Sequence, residues 1–311
     1  MASLTSSETQ ILQMNSAERD VKRMNIPSRR VQRAWQNVAS VVFGLCAAMS
    51  VFALLLICFF LFANGIPALN EIGWWHFLSS ATWKPSSGEF GIAAFIAGTF
   101  VTTLGALVVA VPVSVLTAIF ISSFASPRIR GMFIPLIELL AEIPSVVYGF
   151  FGLILLVPFI RTTFGVQGMS ILAAVIVLAI MIAPTIISTS ISALDAVPHA
   201  YREGAIALGA TKERAEFTAV LPAAKSGVIS GIILGMGRAL GETMAVIMVI
   251  GNQPLMPDSL LHGARTMTTN VVLEMGYAAD LHRGALLGTA VILFIIELIV
   301  NLILAGIRKK L

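Results

Sequence analysis

Charged residues are scarce in this 311-residue chain. They make up 12% of the sequence, about half the ~25% of soluble domains, while apolar residues reach 57% and the mean hydropathy is +0.92. A soluble protein of this size could not bury so much apolar surface in one core, because much of its surface stays exposed. The composition therefore excludes an ordinary soluble domain and predicts a membrane protein.

The sequence also lacks disulfide, metal and nucleotide motifs. Its two cysteines, Cys46 and Cys58, fall in one apolar run and would lie ~18 Å apart in a helix, too far for a disulfide. The four histidines show no metal-ligand spacing, so we expect neither a metal site nor a cofactor. Because no G-x-x-x-x-G-K-[ST] phosphate loop is present, we do not expect the chain to hydrolyse ATP or to be an enzyme.

Six apolar runs are long enough to cross a bilayer, which takes ~20 helical residues. They cover residues 40–63, 92–122, 131–160, 170–190, 227–250 and 284–307. We therefore predict an all-α membrane protein with a bundle of six transmembrane helices. Residues 1–38 are polar and unlike a secretory signal, so we expect a tail there and a membrane domain over residues 39–311. Pro112, Pro144 and Pro184 are expected to kink or break their helices.

Basic residues are unevenly shared between the loops. With six spans, the side that holds both termini carries 15 lysines and arginines, and the other side carries 4. The positive-inside rule therefore predicts cytoplasmic termini. Of the two long outer segments, residues 64–91 carry Trp74, Trp75 and Trp83, which indicate either an interfacial aromatic anchor or a surface that receives a partner protein.

The loop between the fourth and fifth runs, residues 191–224, has the features of a docking element. Pro198 can open a short helix, Gly209 can end it, and Thr211 can cap a second helix. Pro222 is expected to close the stretch. A merely solvated loop would not need its apolar residues, which are Ala205, Leu208, Phe217 and Leu221.

This loop resembles the cytoplasmic motif of ABC importer permeases. That motif reads Glu-Ala-Ala, three residues, Gly, nine residues, then Ile-x-Leu-Pro, and this chain has Glu203, Gly204, Ala205, Gly209, Leu221 and Pro222 at the matching positions. Gly204 and Ala219 depart from the usual Ala and Ile. The resemblance implies cytoplasmic coupling helices that seat in a groove of a separate ATPase subunit.

Further segments resemble PstC-type phosphate permeases, although PstA-type permeases are similar in the second half. These segments are IELLAEIPSVVYGFFGLILLVP (137–158), GMGRALGETMAV (235–246), TWKP (82–85) and FGI (90–92). The resemblance covers nearly the whole chain after residue 40. It implies a bacterial inner-membrane complex with a PstA-like second permease, two PstB-like ATPase subunits and an extracytoplasmic phosphate-binding protein.

Arg238 and Glu242 are the predicted centre of the substrate path. In a continuous helix, residues four apart share one face. An ionised side chain at membrane depth costs at least ~2.5 kcal/mol, so it needs a partner or a wet path. The pair is either a structural ion pair or a site where Arg238 offers its guanidinium fork to phosphate, with Glu242 competing for it.

Other polar residues of the membrane runs are secondary candidates. Glu138 and Glu142 share a helix face and would repel each other, unless one is protonated or each pairs with a basic group such as Arg238. Ser145 and Tyr148 follow Pro144 and offer hydroxyls to the substrate path or to packing. Glu297 is expected to pair with another helix.

The predicted function is therefore the permease of an ATP-driven phosphate importer, which moves by rocking of rigid helices. A permease for sulfate or molybdate is an alternative, since an arginine alone does not distinguish oxyanions. An ATPase-independent carrier or channel and a non-transporting scaffold or phosphate sensor are the alternatives from other classes.

Overall fold

The computed structural model describes residues 29–310, with side chains from 36 to 306. The described residues divide into two units, one that ends at residue 59 and one that begins at residue 60. In the first unit the described residues belong to helix α1 (Arg29–Ile72), which continues into the second. Residues 29–38 of the predicted tail are therefore helical, and residues 1–28 lie outside the described part.

Six helices are long and apolar enough to cross a membrane within the described residues, as predicted. They cover Gln36–Ile72, Ala93–Phe124, Ser145–Phe164, Ile171–Asp195, Lys212–Leu240 and Asp280–Gly306.

The second unit continues with short elements and long helices. After α1 come α2 (Trp74–Ser79), the antiparallel strands β1 (Trp83–Lys84) and β2 (Glu89–Phe90), α3 (Ala93–Ile119), α4 (Pro127–Glu142), α5 (Ser145–Phe151), α6 (Val157–Phe164) and α7 (Ile171–Asp195). They are followed by α8 (His199–Ala207), α9 (Lys212–Ala215), α10 (Leu221–Leu240), α11 (Met244–Val249), α12 (Met267–Glu274) and α13 (Asp280–Lys310). Within the described residues, the π-helical turn Phe120–Phe124 extends α3 to its end, and the π-helical turns Gly152–Leu156 and Glu216–Val220 each join two helices without a break.

The third predicted span is not one helix. α4 begins under a cap, because the Ser126 side chain accepts from the Ile129 N–H, and it ends at Glu142. Ile143 and Pro144 then have extended backbone, and a new helix begins at Ser145. Proline has no N–H to continue the helical ladder, which explains the break.

The fifth predicted span is also broken, near its end. α10 stops at Leu240, and α11 starts only at Met244. The intervening residues 241–243 include a glycine, which lowers helix stability by ~1 kcal/mol relative to alanine. At its other end the span reaches back to Lys212, so the helical run is longer there than the apolar pattern indicated.

The core of the second unit is built around α7. Two thirds of its apolar window is buried, and α3 and α10 pack against it. Gly227, Gly231 and Gly235 of α10 face α7, and a Cβ at Gly235 would lie 2.8 Å from an Ile186 side-chain carbon. Glycine is needed on this face because the two helix backbones come close together.

A second apolar cluster surrounds the β1–β2 hairpin. Trp83, predicted to lie at a surface, is only 5% exposed and packs edge-to-face on Phe90 and Phe95. Trp75 is 82% exposed, and Trp74 is also exposed. The prediction that these tryptophans lie at a surface is therefore wrong for Trp83, whereas Trp74 and Trp75 are exposed.

Candidate functional site

The coupling loop, residues 191–224, folds around one short helix that matches the sequence prediction. Pro198 is the N-cap of α8, and Gly209 follows its end with a φ of +89°, a conformation that favours glycine. The Thr211 side chain accepts a hydrogen bond from the Arg214 N–H and caps α9.

The predicted second short helix does not stand alone. α9 runs through the π-helical turn Glu216–Val220 directly into α10. Pro222 lies two residues after this π-helical turn, inside the continuous helix, so it does not close the stretch as we expected. The α9 segment is therefore a helical extension of the fifth span.

The apolar residues of the coupling loop divide into exposed and half-buried ones. Leu208 is 92% exposed and Phe217 is 48% exposed, whereas Ala205 and Leu221 are half-buried. Glu203 and Gly204 are exposed, and a Cβ at Gly204 would meet nothing within 4 Å. The departure of Gly204 from the motif therefore leaves room for the usual alanine, and Leu208 is the apolar side chain most available to a partner.

A buried carboxylate anchors this loop. Glu216 is 2% exposed, forms an ion pair with Arg202 of α8, and accepts a hydrogen bond of 2.8 Å from the Ser123 hydroxyl. Arg202 also donates to Ser123, at 3.0 Å. A buried ion pair needs such extra hydrogen bonds to offset its desolvation. These contacts hold α8 against the π-helical turn at the end of the second span.

A second ion pair lies at the end of α7. Asp195 pairs with Arg130 of α4 and accepts a hydrogen bond of 2.6 Å from the Ser122 hydroxyl. Ser122 is the neighbour of Ser123 in the same π-helical turn. The two ion pairs are therefore joined through consecutive residues.

Arg238 lies near the two helix breaks, the one after α4 and the one after α10, but it does not pair with Glu242. Its Nη1 donates to the Ala141 carbonyl, at 3.4 Å, and to the Thr185 hydroxyl, at 3.3 Å. The predicted shared face was wrong because α10 ends at Leu240, between the two residues. Among the described side chains, no carboxylate forms an ion pair with Arg238.

Glu242 has a different role in the structure. Its Oε1 accepts a hydrogen bond of 3.0 Å from the Ala245 N–H in the first turn of α11. Its own carbonyl accepts from the buried Thr268 hydroxyl, at 3.1 Å. Its carboxylate therefore caps the helix that restarts after the break.

The break after α4 brings Tyr148 to the same place. The Tyr148 hydroxyl donates to the Leu140 carbonyl, at 2.7 Å, next to the Ala141 carbonyl that Arg238 contacts. Both carbonyls lie in the last turn of α4, where the helical ladder ends, and the Leu140 carbonyl also accepts from the Ile143 N–H at 3.4 Å. Ser145 is half-buried in the first turn of α5, and Glu142 is exposed at the last position of α4.

Neither of the two remaining predicted carboxylates has an ion-pair partner within residues 36–306. Glu138 is exposed and lines a cavity between α4 and α7, beside Ser188 and Ser192. Arg238 is therefore not its partner. Glu297 is half-buried in α13, and the partner helix expected for it is not observed.

One polar cluster escaped the sequence analysis. Glu274 at the end of α12 is 6% exposed and accepts hydrogen bonds from Trp83, Arg265 and His282, at 2.8, 2.6 and 2.8 Å. Burial raises the pKa of the Glu274 carboxyl, but hydrogen bonds from Trp83, His282 and Arg265 outweigh burial and leave the pKa below its usual value. We call these four residues, Trp83, Arg265, Glu274 and His282, the Glu274 cluster. The cluster joins the β1–β2 hairpin, the loop before α12, and α13.

We expect the Glu274 cluster to make stability fall in acid. Because the folded pKa of Glu274 is depressed, its contribution is present above the ordinary carboxyl pKa of 4.5 and is lost as the pH falls toward the lower folded pKa. The thermal midpoint of the detergent-solubilised protein, measured from pH 7 downward, should show this loss.

Two variants test the origin of that acid sensitivity. Glu274→Gln should have a lower midpoint at pH 7 and a smaller decrease in acid, because the amide does not titrate. Asp280→Asn, at an exposed carboxylate, should keep the wild-type pH dependence. An unchanged acid decrease in Glu274→Gln would show that other groups cause it.

Comparison with known proteins gives the family. The family model described as "Binding-protein-dependent transport system inner membrane component" matches residues 110–311. The "Probable ABC transporter permease protein YqgH" of Bacillus subtilis is 37% identical, over 85% of this chain and 87% of that protein. The "Phosphate transport system permease protein PstC" of Mesorhizobium japonicum is 35% identical, over 77% of this chain and 80% of that protein.

A solved structure supports the fold. The bacterial ABC transporter involved in import of the acidic polysaccharide alginate superposes with a TM-score of 0.62 over 90% of this chain and 99% of that one, at 16% identity. This similarity concerns the arrangement of helices alone, and it agrees with the predicted permease bundle. The chain thus belongs to the family of binding-protein-dependent transport system inner membrane components, the multi-pass and non-enzymatic permease subunits of ABC importers.

Proposed function

We propose that this chain is the permease subunit of an ATP-driven phosphate importer and lines its phosphate path. The observation that carries the proposal is the position of Arg238 at two helix breaks, held only by a carbonyl and a hydroxyl among the described groups. A guanidinium is expensive to keep inside a membrane unless a counter-ion or water reaches it. A passing oxyanion is such a counter-ion.

The guanidinium suits phosphate in geometry as well as charge. It has five N–H donors in a planar fork, and only Nη1 is engaged by Ala141 and Thr185. The remaining donors can make two parallel bonds to phosphate oxygens. Tyr148, Ser145, Glu142 and Glu242 surround the same breaks, so we assign them to the path, with Glu242 acting as a helix cap rather than as a competitor for Arg238.

The names of relatives support phosphate among the oxyanions. PstC proteins of several bacteria, including those of Mesorhizobium japonicum and Pasteurella multocida, are described as phosphate transport system permeases. On this basis we assign as partners a PstA-like second permease, two PstB-like ATPase subunits and an extracytoplasmic phosphate-binding protein.

The coupling loop is assigned to the ATPase. Glu203, Gly204, Ala205, Gly209, Leu221 and Pro222 carry the motif, and exposed Leu208 supplies an apolar contact. With this assignment we propose that the loop and both termini are cytoplasmic, which the positive-inside distribution of basic residues supports. The complex would lie in the bacterial inner membrane.

Reconstitution tests the proposal. The chain is co-expressed with the PstA-like permease and the PstB-like ATPase subunits, and the complex is placed in proteoliposomes. ATP is supplied on the side of the ATPase subunits, and the binding protein is supplied on the opposite side. We expect phosphate-dependent ATP hydrolysis and uptake of labelled phosphate that excess sulfate or molybdate does not compete away. Effective competition by sulfate would instead favour a permease for other oxyanions, and uptake by the chain without any ATPase would favour an independent carrier.

A further inference from the structure

Helices α4 and α7 run side by side and are joined by polar contacts at two points. At one point, the Asp195 joint, Arg130 of α4 pairs with Asp195 of α7. At the other, the Arg238 joint, the guanidinium of Arg238 bridges the Ala141 carbonyl of α4 and the Thr185 hydroxyl of α7.

The two joints have matching spacing on the two helices. Arg130 and Ala141 are separated by ~16 Å along α4, and Asp195 and Thr185 by ~15 Å along α7, from the helical rise per residue. The helices run in opposite directions, so equal separations bring both pairs of residues side by side. α4 therefore connects the coupling-loop end of α7 with Arg238, the residue that we assign to phosphate.

Between the joints the two helices share an apolar contact, because Ile137 of α4 lies in one buried cluster with Ile187 and Ile191 of α7. A cavity of about 190 Å³ lies beside this contact. Its lining is made of Arg130, Ile134, Ile137, Glu138, Ser188, Ile191, Ser192 and Asp195. The two joints therefore add polar contacts at either end of this apolar contact, and together they hold the position of α4.

The Asp195 joint is connected to the coupling loop. Ser122 donates to Asp195 and its neighbour Ser123 donates to Glu216, at 2.6 and 2.8 Å. Both acceptors lie within the coupling loop, and each serine sits in the π-helical turn Phe120–Phe124. Turns of this kind are frequent at functional sites. Two sets of hydrogen bonds, joined through the consecutive residues Ser122 and Ser123, thus connect α8 of the loop to α4.

We propose that Asp195 is a positioning residue that couples the ATPase-facing loop to phosphate movement through α4. The proposal rests on the proposed function. Phosphate bound by the remaining donors of Arg238 would draw the guanidinium toward itself and weaken the bonds of 3.4 and 3.3 Å from Nη1 to Ala141 and Thr185, and this would free one end of α4. Movement of the coupling loop would act on the other end through Asp195. Both sites would then bias the position of one element, which is the physical requirement for coupling.

The Asp195 joint is too exposed to serve mainly in stability. The side chains of Arg130 and Asp195 are 37% and 34% exposed, and ion pairs of that exposure contribute little to folding. Loss of the pair should therefore change coupling more than it changes assembly.

The test measures phosphate transported per ATP hydrolysed in proteoliposomes that hold the full complex. Asp195→Asn and Arg130→Gln should each lower this ratio about tenfold, an ordinary size for coupling between two sites. The charge swap Arg130→Asp with Asp195→Arg restores an ion pair and should recover most of the ratio. Asp258→Asn, at an exposed carboxylate beside His262, is the matched control and should keep the wild-type ratio.

The outcomes separate this inference from the proposed function. If the wild-type complex transports no phosphate, the proposed function fails. If it transports phosphate and Asp195→Asn keeps the wild-type ratio, only the coupling role is wrong. A lowered ratio that the charge swap does not restore would also overturn it. If Asp195→Asn does not assemble, Ser122→Ala, which removes one donor to the same carboxylate, provides the same measurement.

Discussion

Phosphate uptake is expected to fall at least about 100-fold when Arg238 is replaced by alanine, in a complex that still assembles. Hydrogen bonds to charged groups contribute about 1.5–3 kcal/mol each, and a fork makes two of them. Since every 1.4 kcal/mol is a factor of about ten in affinity, loss of both bonds corresponds to 100-fold or more. Initial uptake rates over a range of phosphate concentrations would measure the change.

Arg238→Lys and Arg161→Ala complete this experiment. Lysine keeps the charge but offers a point ammonium instead of a planar fork, so we expect an intermediate loss, about tenfold. Arg161 is exposed and donates to the Gln167 carbonyl, away from the helix breaks, so its removal should leave uptake unchanged. Normal uptake by a well-expressed Arg238→Ala complex would exclude Arg238 from the phosphate path.

Replacing Leu208 with aspartate is expected to separate the permease from its ATPase. Burial of a leucine side chain stabilises a contact by about 1.5–3 kcal/mol, and an unpaired carboxylate in its place is costly. Leu208 is 92% exposed, so the change should not disturb the fold of the chain itself. We expect association weakened about 100-fold, which recovery of the ATPase with an affinity-tagged permease would measure.

A graded and a matched variant accompany Leu208→Asp. Leu208→Ala removes contact area without adding charge and should weaken association by about tenfold. Leu255→Asp changes another exposed leucine, 61% exposed in a segment far from the coupling loop in sequence, and should leave recovery of the ATPase unchanged. Equal recovery with Leu208→Asp and Leu255→Asp would mean that Leu208 does not face the ATPase.

The membrane architecture could be predicted because it depends on local properties. The fourth run, residues 170–190, corresponds to α7, since an uninterrupted apolar sequence requires only helix formation to satisfy its backbone. The break at Pro144 was also anticipated, because proline acts within its own turn. The turn residues Gly209 and Thr211 of the coupling loop behave as predicted for the same reason. Pro112 and Pro184 do not break their helices, since they lie inside the continuous helices α3 and α7.

The contacts of the candidate site could not be predicted in this way. The argument for Arg238 and Glu242 assumed a continuous helix, and the break between them has no proline to signal it. Arg130 and Asp195 are 65 positions apart, and Trp83 and Glu274 are 191 positions apart. Pairs so distant in sequence are set by tertiary packing. In the sequence, the signal for the Glu274 cluster was Trp83, a large aromatic residue close to the turn of the β1–β2 hairpin.

The two helix breaks also restrict which face of the bundle can meet lipid. Where a helix stops at Glu142 or Leu240, main-chain groups lose their partners in the ladder. Hydrocarbon offers these groups no hydrogen bonds, so irregular backbone at membrane depth must face protein or water. The segments that carry the two breaks are therefore expected to turn toward protein or water, and the unbroken helices toward acyl chains.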